Sequence, residues 1–271
     1  IIETTTNTLV VGCKNTIIPN SVTDIAWFAF DGSGLTSLVI PNSVTSIGVY
    51  AFADCQSLDS ITIPNSVERL TAPLFSFCTE LTSIVVEEGN GVYDSREDCN
   101  AIIETSTNTL VAGCKSTIIP NTVTSIGADA FWSCTPLEYI HIPNTITSIG
   151  EGAFVQCGLK YLTIPNSVVN IGSQAFNYTP WLDSKSDGLV YINKVLYDYK
   201  GSMPSGTSID IKEGTVSVSG HAFYDYPQLE SISIPNSVTN IGSYAFYDCS
   251  DLTSVIIPDG VTSIGNYSFY N

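Results

Sequence analysis

Eight cysteines, two histidines and a few clustered carboxylates are the side chains in this sequence with reactive chemistry to offer, and their spacing decides what that chemistry can be. Cys55, Cys78, Cys134, Cys157 and Cys249 each lie three residues after a phenylalanine. At the same phase other copies of the pattern carry Ser33, Thr179 or Tyr226, so a hydroxyl can replace the sulfur. This argues for an interior row of small, weakly polar groups. Disulfides between copies are the alternative. Cys13 and Cys114 occupy matched positions elsewhere, Cys99 stands apart, and a Cys99–Cys114 bridge is a further option. No Cys-x-x-Cys pair supplies the spacing of a structural zinc site, and no metal is expected.

His141 and His221 are the two histidines, and His221 takes a variable position just before Ala222-Phe223. A serine hydrolase would need a nucleophile elbow; a nucleotide enzyme, a glycine-rich phosphate loop; a zinc protease, its paired histidines on a helix. The sequence contains none of these motifs, so the expectation is no catalytic residues, no cofactor and no enzyme. Carboxylates gather at Glu87-Glu88 with Asp94, Glu97 and Asp98, and at Asp183 with Asp187. Neither group has the spacing of an EF-hand loop, and solvated loop carboxylates are the plainer reading.

The elements that carry these residues repeat. Ile-Pro-Asn or a close variant recurs with its proline at positions 19, 41, 64, 120, 143, 165, 235 and 258. Val86-Glu87 and Ile211-Lys212 fill the two gaps in phase. A full copy runs from Leu229 through Ile232, Ile234, Pro235, Val238, Ile241, Gly242, Ala245 and Phe246 to Cys249. Ile232 and Ile234 are two apart and share one strand face, while Ser231 and Ser233 point the other way. Proline ends the strand because it has no N–H to donate. Val238 and Ile241 return along the core, and Gly242 is expected to make a tight turn. No copy can enclose its own apolar face, so several must stack on a shared core.

The pattern Leu-x-x-Ile-x-Ile-Pro-x-x-Val-x-x-Ile-Gly-x-x-Ala-Phe-x-x-Cys resembles the BspA-like leucine-rich repeat family and covers nearly the whole chain. The resemblance implies a curved, right-handed solenoid of about ten rungs of ~23 residues, with a parallel sheet on its concave face. Members of the family are secreted or surface-anchored proteins of host-associated bacteria and some protists, often linked to adhesion. The fold class is therefore a β-rich repeat solenoid, residues 1–271 forming one domain that reads as a fragment of a longer array.

Two segments break the period. Residues 101–114 and 189–199 each read as two short apolar strands about a polar turn, the second turning at Asn193-Lys194. Both are expected to be β-hairpins inserted into the stack. Ile1 to Pro19 repeats Ile102 to Pro120 almost residue for residue, so the chain starts inside a third such hairpin.

With 26 acidic and 9 basic side chains the formal charge is −17, which opposes nucleic acid and anionic lipid alike. No apolar run approaches the ~18 residues of a membrane helix. Recognition must then rest on aromatic anchors. Tyr139 and His141 share a strand, Tyr161 takes the phase of Tyr139 on the next, and Lys160 and Glu138 flank them. These three, with Trp132 on the edge after the repeat phenylalanine, are the expected partner-binding residues. The plainer alternative is that surface rings stack on one another to cover the sheet. The same edge carries Phe77, Tyr178, Tyr224, Tyr247 and Tyr270, with Trp27-Phe28, Tyr50 and Tyr244 before it. The expected function is a monomeric, cell-surface or secreted module that binds a host or matrix protein. A carbohydrate-binding module and a passive spacer are the rivals.

Overall fold

The computed structural model describes residues 1–271 and is a β-solenoid of about ten turns with one short α-helix, Pro180–Asp183. Its rungs are joined along three lines of hydrogen bonds. The most continuous lies at the Val-x-x-Ile-Gly segment, where two-residue strands pair in parallel and in register. Leu9, Ile25, Ile47 and Leu70 are successive partners, as are Leu110, Ile126, Ile149 and Ile171, and then Leu196, Val218, Ile241 and Ile264.

This is not where the sequence pattern places the sheet. The Leu-x-x-Ile-x-Ile segment pairs as parallel strands only between Ser60–Ile63 and Ser83–Val86 and between Thr207–Asp210 and Leu229–Ser233, with one isolated bridge at Tyr139–Tyr161. Glycine explains the difference. The N–H groups of Gly150, Gly172, Gly242 and Gly265 donate to the ladder carbonyls of the preceding rungs at 2.8–2.9 Å. A Cβ at any of the four would lie closer than 3.0 Å to backbone of that rung. None of these glycines has a positive φ, so they serve close approach rather than the expected tight turn.

Positive φ falls instead on the residues two before and two after each repeat phenylalanine, such as Tyr50 and Asp54, His221 and Asp225, or Tyr244 and Asp248. With the backbone turned at these positions, every second N–H of the corner, as at Asp129, Phe131 and Ser133, donates to the next rung. Phe131, Phe154, Phe223 and Phe246 thus donate to Ala153, Ala175, Ala245 and Ser268, each at 2.8 Å. This corner ladder compensates the roughly 1 kcal/mol that a left-handed conformation costs a non-glycine residue.

Inside the ladders, Phe30–Phe52–Phe75, Phe131–Phe154–Phe176 and Phe223–Phe246–Phe269 stack with centroids 5.0–5.8 Å apart. The columns break where the hairpins enter. Ala101–Glu104 pairs antiparallel with Thr109–Gly113, and Gly188–Ile192 with Val195–Lys200, as expected; Ile2–Glu3 with Thr8–Leu9 makes the third. The second arm of each hairpin starts a ladder, so the stack is three blocks of one hairpin and three rungs. Tyrosine hydroxyls mend the seams: Tyr93 accepts the N–H of Leu70 and Tyr197 that of Phe176.

All eight cysteines are free thiols. Cys55, Cys78, Cys157 and Cys249 donate to the carbonyls of Phe30, Phe52, Phe131 and Phe223 at 3.0–3.1 Å, one rung back. The interior row is therefore a hydrogen-bonded column, which accounts for its tolerance of Ser and Thr. Burial raises the pKa of these thiols and of Cys99, Cys114 and Cys134, to about 11 at Cys99 and Cys249 and about 12 at Cys134. Cys13 alone is exposed, and a hydrogen bond from Thr16 holds its thiol below the ordinary value.

Two outcomes are expected. Gly150→Ala forces a methyl group against Ala128 and should lower unfolding free energy by roughly 1–3 kcal/mol or more, measured by urea denaturation. Thiolate is the reactive form, so iodoacetamide at pH 8 should modify Cys13 alone in the folded protein and all eight cysteines in urea, read by mass spectrometry. Labelling of Cys157 in the native state would contradict the buried column.

Candidate interaction surface

Each Leu-x-x-Ile-x-Ile-Pro segment sends alternate side chains outward, four and two positions before the proline position. Stacking turns these positions into two columns. At the first, Ser37, Ser60, Ser83, Ser208, Ser231 and Ser254 surround Tyr139 and Tyr161, the two bulky members. At the second, Ile17 is 90% exposed, Val39 85%, Ile118 71% and Ile256 85%, with Val85 less so. The anchors expected from the sequence are aromatic, and this aliphatic column is not among them. The available signal was a β-branched residue at the outward phase of rung after rung.

The bridge between Tyr139 and Tyr161 places the two rings side by side, 62% and 74% exposed. Neither stacks on another ring of the molecule. His141 is exposed on the same strand, and Lys160 Nζ bonds Glu138 Oε1 at 2.6 Å across the two rungs. A slot of about 200 Å³ opens beside them, lined by Thr117, Ile118, Ile119, Tyr139, Ile140 and His141. Trp132 is not part of this cluster. It sits half-buried on the corner after Phe131, its ring packed over Gly152 of the next rung.

Apart from Trp27, Phe77 and Tyr178, which stack on no ring, the other aromatics of this surface behave differently. His221, Tyr244 and Tyr267 form one stack with centroids 5.0–5.2 Å apart, and Tyr224, Tyr247 and Tyr270 a second at 5.0–5.3 Å. Phe28 stacks on Tyr50 at 4.9 Å. Here the alternative of rings covering one another holds, and the ring faces are spent on neighbours.

Titratable groups do not converge. His221 Nδ1 meets Ser173 Oγ at 2.5 Å across the seam of the second hairpin, and burial lowers the imidazole pKa. Asp129, beside Glu151, is raised by burial first and by that neighbour second. Asp198, on the hairpin arm, is pushed up to about 7 by burial. Of the acidic clusters, Asp94 is clasped by Arg96 through contacts of 2.6–3.0 Å. No group of three or more His, Cys, Asp or Glu side chains is placed to hold a metal ion. No helix is long and apolar enough to cross a membrane.

The pattern described as the BspA type leucine rich repeat region matches, in six copies, residues 10–99, 102–194 and 190–271. Among solved structures, a leucine-rich repeat protein from Eubacterium ventriosum is 24% identical with a TM-score of 0.51, over 93% of this chain and 74% of that one. A leucine rich cell surface protein from Faecalibacterium prausnitzii is 24% identical, with a TM-score of 0.35 over 97% and 78% of the two chains. The pneumococcal vaccine antigen PcpA is 20% identical, with a TM-score of 0.42 over 91% and 71%. No curated protein matches the chain.

Asp198 generates a pH prediction. Its folded pKa, about 7, stands above the ordinary 3.8, so between about pH 4 and 7 the folded state holds a proton that the unfolded chain has released. Stability should fall as pH rises through that window, by at most a few kcal/mol, and level off above it. Asp198→Asn should flatten this slope and raise Tm at pH 8. An unchanged slope would mean that the carboxylate is solvated.

Proposed function

Since the chain belongs to the BspA type leucine-rich repeat family, we propose that it is an interaction module displayed outside the cell, which holds a protein partner against its Ile-Pro face. The observation that carries this reading is the exposed column of Ile17, Val39, Val85 and Ile118, running into the unstacked rings of Tyr139 and Tyr161. Exposed apolar surface organised in a row, rather than scattered singly, marks a contact site. Aliphatic side chains offer neither a flat ring face nor hydrogen bonds, so the column favours protein over sugar.

The slot beside Tyr139 is of a size to admit one apolar side chain of the partner, with Tyr139 and His141 among its lining residues. The Lys160–Glu138 pair lies at the rim, where a charge pair contributes to choice of partner more than to affinity. An extracellular address is supported by the family resemblance, and by a surface whose polarity comes from Ser, Thr and Asn, with only 13% of residues charged.

The test is a surface plasmon resonance screen against purified extracellular-matrix proteins. Two variants run beside the native chain: Tyr139→Ala/His141→Ala/Tyr161→Ala, and Val39→Ser/Ile118→Ser. All five residues are exposed, so circular dichroism and Tm should not change. Any saturable binding should weaken at least tenfold in both variants, in line with the ~1–2 kcal/mol carried by interface anchors. Binding unaffected by either variant would remove the Ile-Pro face from the function.

A further inference from the structure

The opposite side of the stack carries a second opportunity. On the Ile-Gly ladder the residues before each ladder isoleucine point outward in a row, and in the first block these are Thr8, Asp24, Ser46 and Arg69, partners in consecutive registers. Adjacent members of such a row are ~4.8 Å apart. Asp24 accepts a hydrogen bond from Thr23 at 2.7 Å and faces Arg69 at 3.8 Å. Beside the row stands Trp27. It is 70% exposed, stacks on no other ring, and its indole N–H has no partner. Thr8, Asp24, Ile25, Ala26, Trp27, Ser46 and Gly48 together line an open cleft of about 450 Å³.

Each feature narrows the ligand. The position of Trp27 is held on other rungs by Val49, Ala128, Glu151, Ser173, Ser243 and Asn266, so the fold does not need an indole there. Its edge rests on the bare backbone of Gly48, where a Cβ would collide with the ring. The indole is thereby held in place with a face left open. That face is electron-rich and attracts C–H groups bearing partial positive charge. Around it are the hydroxyls of Thr8 and Ser46 and the carboxylate of Asp24, able to bond neighbouring hydroxyl groups of a ligand. Asp24 and Arg69 offset each other locally, while the chain as a whole carries −17, which disfavours an anion. A second cleft of about 450 Å³ lies on the same side at the later seam, lined by Glu151, Asn170, Ser173, Ser219 and Asn240 among others, but no aromatic residue lines it.

We propose that the Trp27 cleft binds a neutral carbohydrate, one sugar ring stacking on the indole while its hydroxyls bond Asp24, Ser46 and Thr8. The cleft lies on a different side from the Ile-Pro face, so the two sites are separable. A module with both would hold a protein through one side and a glycan through the other.

The experiment is an array of neutral oligosaccharides, with hits titrated by isothermal calorimetry. Trp27→Leu keeps apolar bulk but removes the planar face, and Trp27→Tyr keeps a face. Binding should weaken at least tenfold in Trp27→Leu, recover in part in Trp27→Tyr, and weaken in Asp24→Asn. It should persist in the Tyr139/His141/Tyr161 triple-alanine variant, which separates this site from the protein-binding face. All four proteins should melt with the native chain, since the residues are at the surface. An array on which the native chain binds no neutral sugar, or a hit that Trp27→Leu binds equally well, would overturn the proposal.

Discussion

Everything in this molecule rests on the contact between the glycine that follows a ladder isoleucine and the backbone of the rung before it. The glycine N–H donates to the ladder carbonyl at 2.8–2.9 Å, and the missing Cβ avoids a collision with the backbone of the preceding rung. Once rungs are locked at strand spacing on one side, the other lines of contact follow. Phenylalanine rings stack at 5.0–5.8 Å because that is about the distance between rungs. The cysteine thiols reach back one rung for the same reason. A solenoid of this kind is a sum of near-identical neighbour contacts, so its weakest points are where the contact is not repeated.

Those points are the hairpins. At the two internal ones an antiparallel arm takes the place of the Ile-Gly strand, and the rungs on either side meet without an intervening corner: Phe77 N–H donates to Ser133, 56 residues on, and Ser219 Oγ to the carbonyl of Ile171. The backbone groups that lose a neighbour are met by tyrosine hydroxyls, and burial raises the pKa of those phenols. Asp198 lies on the arm of the later hairpin, its carboxyl half-buried. Local opening should concentrate at these seams, since a one-dimensional stack opens where the interface term is smallest.

The repeat was legible because proline, phenylalanine and the paired isoleucines recur in phase, and the hairpins because they break that phase. The location of the main ladder was not. Isoleucine at both Leu-x-x-Ile-x-Ile and Val-x-x-Ile-Gly satisfies a strand pattern, and what separates them is rung spacing, set by a glycine that hydrophobic periodicity does not register. The left-handed corners escaped for a similar reason: Tyr, His, Gln and Asp stand where glycine or asparagine would have signalled a positive φ. Of the site, the adjacency of Tyr139 and Tyr161 followed from phase alone, as did the place of Trp132 on the separate edge after the repeat phenylalanine.

Whether a ring is free to bind was the part no pattern could supply, and the reason is general to stacked repeats. Aromatics at one phase on consecutive rungs are brought to about 5 Å and satisfy one another, as the tyrosines from 224 to 270 do. Regular enrichment in aromatics therefore consumes the very faces that a ligand would use. Faces stay open where regularity lapses, as at Trp27, whose phase is filled by Val49 on the next rung, and at Tyr139 and Tyr161, which meet at a single bridge. In this fold the consensus builds the scaffold, and departures from it are where recognition should be sought.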